Sequence, residues 1–205
     1  MRTVRSGVIA IVAGLVILPA TLSAQAKTFT KPPVGSGWRI DAQHSEVGFR
    51  IRHMVGRVRG MFTDWDGLLV THDKDWTHGT VNVTVRTRSV DTRNEARDAD
   101  LRSTRFFSVD SFPTMTFEST GLIATNSAFE MGGLLTIKGH THPVTFRGQY
   151  RGIERDANGK ERIAFDGTAL INRQDFGLTW NQALETGTLL SDDVELEIAV
   201  EAVRQ

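Results

Sequence analysis

The stretch VELEIAVE (residues 194–201) alternates strictly between apolar and polar positions near the end of the chain. Val194, Leu196, Ile198 and Val200 share one side, and the intervening positions include three glutamates. A period of two with β-branched residues on one side is typical of a strand that buries one face and wets the other. The sequence therefore predicts a half-buried β-strand here.

Five further segments show the same alternation, so the pattern describes most of the chain. Such clean alternation favours antiparallel pairing with one solvated face. The chain is long enough for about eight such strands, and either a sandwich or a closed barrel satisfies the pattern. The predicted apolar faces hold Val47, Phe49 and Ile51; Val81, Val83 and Val85; Met115 and Phe117; Val144 and Phe146; and Ile163, Phe165, Ala169 and Ile171.

One segment departs from this alternation and predicts a short helix near residues 92–103. Thr92 and Glu95 match a capping-box pattern, and the stretch contains neither glycine nor proline. Its apolar residues are too few for a core helix, so we expect it to lie across one end of the sheet. Asn158-Gly159 predicts a hairpin turn, while Gly132-Gly133 and Gly139 predict breaks between segments.

The N-terminus has the pattern of a secretory signal peptide spanning residues 1–26. Arg2 and Arg5 precede an apolar run that is too short to cross a bilayer, and Ala24-x-Ala26 resembles a cleavage signal. We therefore expect export to the periplasm. Residues 27–37, rich in proline and glycine, predict a flexible lead-in to a domain spanning residues 38–205.

Charge and composition argue against several classes of protein. Removing residues 1–26 leaves two more acidic than basic side chains, which disfavours nucleic-acid binding. The chain has no cysteine, so disulfides and thiolate chemistry are excluded. A membrane-embedded barrel is disfavoured because it would carry aromatic girdles and an apolar outer band. Instead, charged residues occupy the face opposite the apolar one: Arg50, Arg52, Arg86, Arg147, Glu195 and Glu197.

Candidate catalytic and metal-binding groups are weakly supported. His44-Ser45 is an adjacent pair, but neighbouring residues on a strand face opposite sides and are poorly placed for proton transfer. His140 and His142 have a spacing that two metal ligands could use, yet no accompanying motif supports a site. We expect no enzyme, no metal and no cofactor.

The phenylalanines of the apolar faces fit either a solid core or the apolar lining of an interior cavity, and patterning alone leaves both open. Arg97 and Asp98 predict a salt-bridge network that ties the helix to the sheet. Arg97 or Arg102 at a barrel mouth could also bind a phosphate or phenolic head group.

Six segments, taken in order, resemble five signatures of the YceI-like family, and the second and third segments together match one of them. Together they extend over nearly the whole chain after the lead-in. They are WRIDAQHSEVGFRIRH (38–53), RDADLRSTRFF (97–107), FPTMTFES (112–119), GLLTIKGHTHPV (133–144), NRQDFG (172–177) and SDDVEL (191–196).

This resemblance implies an all-β, lipocalin-like antiparallel barrel with an elongated apolar interior. It also implies an exported protein that holds a polyisoprenoid or another long-chain amphiphile, often as a homodimer. Transient membrane contact is a separate expectation. The family commonly has histidine before the leucine of its second signature, where this chain has Asp100. The preference for a head group is therefore expected to differ here.

The combined interpretation is a periplasmic lipid-binding barrel, with an enzyme or stress-response factor acting on such lipids as the alternative. Steady turnover of a prenyl substrate would indicate the alternative. The head-group candidates are His44, Arg97 and Arg102. The expected cavity lining is Phe49, Ile51, Val83, Phe106, Phe107, Phe117, Leu135, Phe146, Phe165, Phe176 and Trp180.

Overall fold

The computed structural model describes residues 37–72, 74–184 and 187–205. The expected signal peptide and all of the lead-in except Gly37 lie outside the described residues. The strands are β1 (Gly37–Ile40), β2 (Glu46–His53), β3 (Gly56–Phe62), β4 (Trp65–His72), β5 (Asp75–Arg86), β6 (Val90–Asp91), β7 (Thr114–Thr125), β8 (Ala128–Ile137), β9 (His140–Arg155), β10 (Glu161–Asn172), β11 (Ala183–Leu184), β12 (Gly187–Thr188) and β13 (Leu190–Arg204).

Helical structure is confined to three short segments of the described chain. The α-helix α1 spans Glu95–Arg102, and 3-10 helices span Thr87–Ser89 and Arg173–Phe176. Among the described residues, no helix has the length and apolar character needed to cross a bilayer.

Eight antiparallel strands form a closed ring in the order β1-β4-β5-β7-β8-β9-β10-β13, and β1 pairs with β13 to complete it. The expected all-β, lipocalin-like barrel of about eight strands is therefore confirmed. β2 pairs with the first half of β13, so the sheet continues beyond the ring into β2, β3 and β6. The alternative of a sandwich is wrong because the ladder has no break between two separate sheets.

The two ends of the barrel differ in their connections. The β4–β5, β7–β8 and β9–β10 turns meet at one end, which we call the closed end. The β8–β9 turn, α1 and the segment between β10 and β13 meet at the other, which we call the helix end. The predicted Asn158-Gly159 turn is confirmed as the β9–β10 connection, where Gly159 has a φ of 78°.

The closed end is sealed by stacked aromatic rings. The ring of Trp76 stacks on that of Tyr150 at a centroid distance of 4.8 Å and meets that of Phe165 edge-on at 5.6 Å. Phe129 packs edge-on against Trp76 and Phe165. Aromatic pairs in these geometries add stability beyond the area that they bury. Together these side chains form a floor across the barrel.

Ion pairs tie the strands together around this floor. The buried carboxylate of Glu161 accepts from Lys74 at 2.7 Å, from Arg155 at 3.2 Å and from Arg204 at 2.9 Å. These partners come from the β4–β5 turn, β9 and β13, so one carboxylate links three parts of the closed end. Arg162 makes a second network with Asp41, Asp156 and Glu201.

The helix begins later than its capping-box pattern predicted. Asn94 is the N-cap, and its side chain accepts a hydrogen bond from the backbone N–H of Arg97. Thr92 is buried and bonds to Asp98 instead. The prediction was wrong because asparagine is at least as good an N-cap as threonine, and the threonine hydroxyl is used in a tertiary contact.

Glycines inside the barrel make room for aromatic rings. Gly132-Gly133 lies within β8 and does not break it, contrary to the sequence prediction. The glycine at position 133 instead makes room for the Phe117 ring, with which a side chain there would collide. The ring of Phe129 likewise lies over the paired glycines Gly148 and Gly167 of β9 and β10. A small residue opposite a large one lets neighbouring strands fill the interior of a small barrel.

The substitution Gly148→Ala tests this packing. A Cβ at this position would lie 2.0 Å from the carbonyl oxygen of Asp166, a backbone atom that cannot move without shifting β10. We expect the free energy of unfolding, measured in urea, to fall by about 1–3 kcal/mol. The control is Gly121→Ala, whose Cβ would have no neighbour within 4 Å. It should change stability by less than about 0.5 kcal/mol, and equal losses would contradict the packing argument.

The Arg162 network should make stability depend on pH. Hydrogen bonding from Arg162, supported by His44, lowers the pKa of Asp41 from 3.8 to about 2. A carboxyl whose folded pKa is depressed contributes stability above its unfolded pKa and loses that contribution as the pH falls through the folded value. The loss of stability in Arg162→Gln should therefore be largest near neutral pH and shrink between about pH 4 and pH 2.

Urea unfolding at three pH values measures this effect. Arg151→Gln, which removes a pair with the exposed side chain of Asp166, serves as a control and should cost less at neutral pH. A difference between wild type and Arg162→Gln that stays constant down to pH 2 would show that the Asp41 ion pair does not stabilise the fold.

Candidate lipid-binding cavity

The barrel interior is hollow, and its hollow consists of two adjoining cavities. The inner cavity has a volume of about 140 Å³ and lies between the barrel centre and the aromatic floor. Apart from Gly48 and Thr116, only apolar side chains line it among the described residues. Its wall includes Ile40, Leu69, Trp76, Val83, Phe117, Phe129, Leu135, Phe146, Phe165 and Val200.

The outer cavity is larger, at about 440 Å³, and lies at the helix end. Its walls come from β2, β3, β13, α1 and the segment after β10. Ligand pockets in proteins commonly have volumes of about 300–1,000 Å³, so the outer cavity alone is within that range. Its apolar lining includes Phe49, Ile51, Val58, Leu101, Phe106, Phe107, Ile171, Leu178, Trp180 and Val194.

The two cavities share part of their walls. Phe62, Met115, Ile137 and Leu196 line both of them, so these side chains form a junction halfway along the barrel. Met115 and Leu196 belong to faces that the alternation had predicted to point inward, but nothing in the sequence placed them at a constriction. A long apolar ligand that entered at the helix end would have to pass this junction to reach the inner cavity.

Ten of the eleven residues predicted to line a cavity face one of the two. Val83, Phe117, Leu135, Phe146 and Phe165 line the inner cavity, and Phe49, Ile51, Phe106, Phe107 and Trp180 line the outer one. Phe176 lines neither in the described structure. The 3-10 helix Arg173–Phe176 turns its ring against His142, at a centroid distance of 5.2 Å, and away from the interior.

Polar groups are gathered at the outer cavity. His53, Arg97, Asp100 and Arg173 contribute to its lining, whereas the described lining of the inner cavity has no charged residue. Since buried charges are costly without a partner, this distribution allows a polar ligand group at the helix end and disfavours one deep inside.

Arg97 is held in position by Thr92. Its Nε donates to the Thr92 hydroxyl at 2.8 Å, and its Nη2 donates to the Thr92 carbonyl oxygen, also at 2.8 Å. Asp98 accepts from the backbone N–H and the hydroxyl of the same threonine. The predicted salt-bridge network between Arg97 and Asp98 is therefore replaced by a hydrogen-bond cluster around Thr92. It fixes the Arg97 guanidinium at the cavity wall and leaves Nη1 without a hydrogen bond to any described residue.

Asp100, which differs from the residue common in the family signature, is paired within the chain. Its carboxylate lies 3.2 Å from Arg105, and the Arg105 guanidinium sits 4.2 Å above the Trp180 ring. The ring of Trp180 in turn packs against that of Phe106, at a centroid distance of 5.3 Å. The negative charge at position 100 is therefore balanced locally, and the stack forms one side of the outer cavity.

Arg173 was not predicted as a site residue, although it belongs to the fourth family signature. Its guanidinium is almost fully buried and donates to the carbonyl oxygens of Leu178, Trp180 and Ser191 and to the carboxylate of Asp192. Burial lowers its pKa. By binding both Leu178 and Trp180, Arg173 fixes the segment that walls the outer cavity. Its place inside that signature, NRQDFG (172–177), was the available signal.

Two head-group candidates lie away from both cavities. Arg102 donates to the carbonyl oxygens of Arg88 and Val90, at 2.8 and 2.7 Å, and so anchors the end of α1. His44 lies towards the closed end, where its Nδ1 is 2.9 Å from Asp41. Neither side chain lines a described cavity wall, so the geometry adds no support to their predicted head-group role. Strand direction and helix anchoring, which local sequence does not reveal, decide these positions.

The same neighbourhood contains a possible cation-binding group. Ligand atoms of Asp41, His44 and Glu201 lie within 4.8 Å of one another. However, the Arg162 guanidinium pairs with both carboxylates. A cation already occupies the position that a metal ion would need, so the arrangement is that of an ion-pair network.

Comparisons with known proteins agree with this architecture. A family model described as a YceI-like domain matches residues 38–202. Protein YceI of Salmonella arizonae is 37% identical over 179 residues, which cover 86% of this chain and 91% of that protein. The crystal structure of the Campylobacter jejuni YCEI protein is 31% identical with a TM-score of 0.65, covering 75% of this chain and 89% of that one.

A further solved structure is similar in fold alone. A polyisoprenoid binding domain from Saccharophagus degradans, implicated in plant cell wall breakdown, has a TM-score of 0.62 at 15% identity, and the match covers 82% of this chain and 98% of that domain. The family match and the Salmonella relative, by contrast, extend over most of the sequence. On that evidence the chain belongs to the YceI-like family.

Proposed function

We propose that the protein is a periplasmic carrier of a long-chain isoprenoid or similar amphiphilic lipid, which it binds without converting it. The observation that carries this proposal is the hollow barrel interior, whose two cavities of about 140 and 440 Å³ share a junction and differ in polarity. The tail lies in the barrel, and the polar head stays at the helix end.

Burial of the tail provides the binding free energy. An apolar chain gains roughly 0.8 kcal/mol for each CH₂ group removed from water. The aromatic floor around Trp76 limits how deep the tail can reach. Because the described inner lining contains no charged side chain, it favours saturated or prenyl carbon over any polar group.

The head group is expected beside Arg97. Its guanidinium is held by Thr92, and Nη1 remains free to donate to an anionic oxygen. Hydrogen bonds that involve a charged donor and acceptor are roughly twice as strong as neutral ones. A phosphate or a phenolic oxygen fits this position, whereas Asp100 is neutralised by Arg105 and offers little attraction to a cation.

A passive role is supported by the contacts of the candidate catalytic pair. His44 bonds to Asp41, while the Ser45 hydroxyl donates to the backbone carbonyl of Glu201 and accepts from its N–H. A serine nucleophile needs a base that accepts its proton, and this hydroxyl is directed to the backbone instead. The polyisoprenoid binding domain of similar fold further favours a binding role over catalysis. Export is supported by the signal-peptide pattern of residues 1–26.

Extraction of the bound lipid tests the proposal and the role of the junction. Wild-type protein purified from a periplasmic extract should release a long prenyl lipid at about one per chain on solvent treatment, as measured by mass spectrometry. Met115→Trp should release less of it, or a shorter lipid, because a larger ring blocks the junction. Exclusion of only two CH₂ groups predicts a loss of affinity of about tenfold.

The matched control places the same ring on the outside of the same strand. Ile123, on β7, is 71% exposed, so Ile123→Trp should leave the extracted lipid unchanged. A wild-type protein that releases no lipid and takes up no prenyl probe would overturn the carrier proposal. Identical lipids from wild type and Met115→Trp would show that the tail does not pass the junction.

Substitution of Arg97 tests the position of the head group. Arg97→Gln should weaken binding of a polyprenyl phosphate about tenfold or more, while binding of the uncharged polyprenol changes little, as measured by fluorescence competition. Arg102→Gln on the same helix is the control, since its guanidinium binds backbone carbonyls away from the cavity. Equal losses for the two lipids would reject the assignment.

A further inference from the structure

The hairpin between β2 and β3 projects an apolar tip at the helix end. Val55 is fully exposed and Met54 is 49% exposed, which is unusual for two adjacent large apolar residues. His53 pairs with Gly56, so Met54 and Val55 form the whole loop between the two strands. Solvent exposure of both side chains is unfavourable in water, and it leaves the hairpin with an exposed apolar tip.

Met54 also has an unfavourable backbone conformation. Its φ is 52°, in the left-handed region that two-residue hairpin loops usually fill with glycine or asparagine. A residue with a Cβ is disfavoured there by about 1–2 kcal/mol. The chain therefore places an exposed methionine where a small residue would be more stable, which suggests that the apolar side chain is used.

The outer face of the same hairpin is crowded with arginines. Arg52 lies directly opposite Arg57, and Arg50 lies opposite Arg59. Arg50 is paired with Glu195 and Glu197. Like charges placed directly opposite one another destabilise a sheet.

The other three arginines of this face are exposed and lack an acidic partner. No carboxylate of the described residues lies within ion-pairing distance of Arg52, Arg57 or Arg59, although Asp193 is exposed in the bulge beside Arg52. Arg52 uses its Nη1 to donate to the carbonyl oxygen of Met54. Arg57 and Arg59 are left to attract an external anion.

The inner face of the hairpin belongs to the lipid cavity. Phe49, Ile51, His53 and Val58 line the outer cavity, so the apolar tip and the arginines flank the place where a lipid would enter. The β2–β3 hairpin therefore combines the apolar tip, arginines without an acidic partner and part of the cavity wall.

We propose that the β2–β3 hairpin docks the protein on an anionic bilayer surface, with Val55 and Met54 entering the interface and Arg57 and Arg59 contacting lipid phosphates. This inference rests on the proposed lipid-carrier function and names the surface from which the ligand is taken or to which it is delivered. A bilayer fits better than an acidic protein because the charge surrounds a small apolar tip beside a lipid-sized cavity. Amphipathic elements with basic flanks bind membrane interfaces in this way.

Vesicle flotation tests the electrostatic part. The purified protein should bind vesicles of phosphatidylcholine with phosphatidylglycerol and bind pure phosphatidylcholine much more weakly. Each arginine near an anionic surface contributes about fivefold to partitioning, so Arg57→Gln/Arg59→Gln should weaken binding about 25-fold. Arg147→Gln/Arg151→Gln removes the same net charge from another strand, β9, and is the control. Melting temperatures should not fall in the hairpin variant, because a like-charge contact has been relieved.

Site-specific labelling tests whether the apolar tip enters the bilayer. Because the chain has no native cysteine, a label attaches only at the introduced one. An environment-sensitive fluorophore on Val55→Cys should shift to the blue when anionic vesicles are added. The same fluorophore on Ile123→Cys, exposed on β7, should not respond. Salt at about 1 M, which shortens the Debye length to about 3 Å, should weaken the shift.

The outcomes separate docking from carrying. Equal binding of neutral and anionic vesicles, or equal weakening by the two double variants, would overturn the docking proposal. Failure to bind any vesicle, with lipid still recovered by extraction, would also overturn it and leave the carrier function standing. Absence of extracted lipid together with anionic-vesicle binding would instead reject the carrier function.

Discussion

Closure of the ring between β1 and β13 is the constraint on which the rest of the structure depends. Only three residue pairs make it, with Trp38 opposite Arg204, Arg39 opposite Val203 and Ile40 opposite Ala202. Trp38 is almost fully buried, and its indole N–H donates to Thr71 on β4 at 2.9 Å. This short contact joins the first and last strands, so it converts an open sheet with two exposed edges into a tube.

The tube stays hollow because its large side chains lie at the aromatic floor or pack over glycines of neighbouring strands. The rings of Phe117 and Phe129 lie across Gly133 and Gly148, close to the wall, which leaves the axis free. Trp76, Tyr150 and Phe165 gather at the closed end. A more even distribution of the same residues would fill the centre, as in most barrels of this size.

The helix end has a different physical character. Here the chain leaves the ring between β5 and β7 and again between β10 and β13, and these excursions bring charged groups to the cavity. Thr92 orients Arg97, and Arg173 holds the segment around Trp180 through backbone carbonyls. The β2–β3 hairpin leaves the ring at the same end. The charged groups that line the cavity and the proposed membrane contact are therefore concentrated at one end of the barrel.

Local alternation was sufficient to predict β2, β5, β7, β9, β10 and β13, together with their antiparallel pairing and many of the inward residues. Phe49, Phe117, Phe146 and Phe165 face the interior because side chains on a strand alternate, a property that needs no tertiary information. The turn at Asn158-Gly159 was likewise a local property of two residues. The choice between a sandwich and a barrel was not local, and it came from the family resemblance.

Only the tertiary structure decided whether the inward residues met or left a hollow, and which end of the barrel each polar group occupied. Phe176, Arg102 and His44 were assigned to the ligand by residue type, but the path of the chain directs them elsewhere. Met115 and Arg173 gained their roles from contacts with residues far away in sequence. The physical reason is that alternation specifies the side of a strand, whereas cavity shape depends on register and closure, which join residues that the sequence keeps apart.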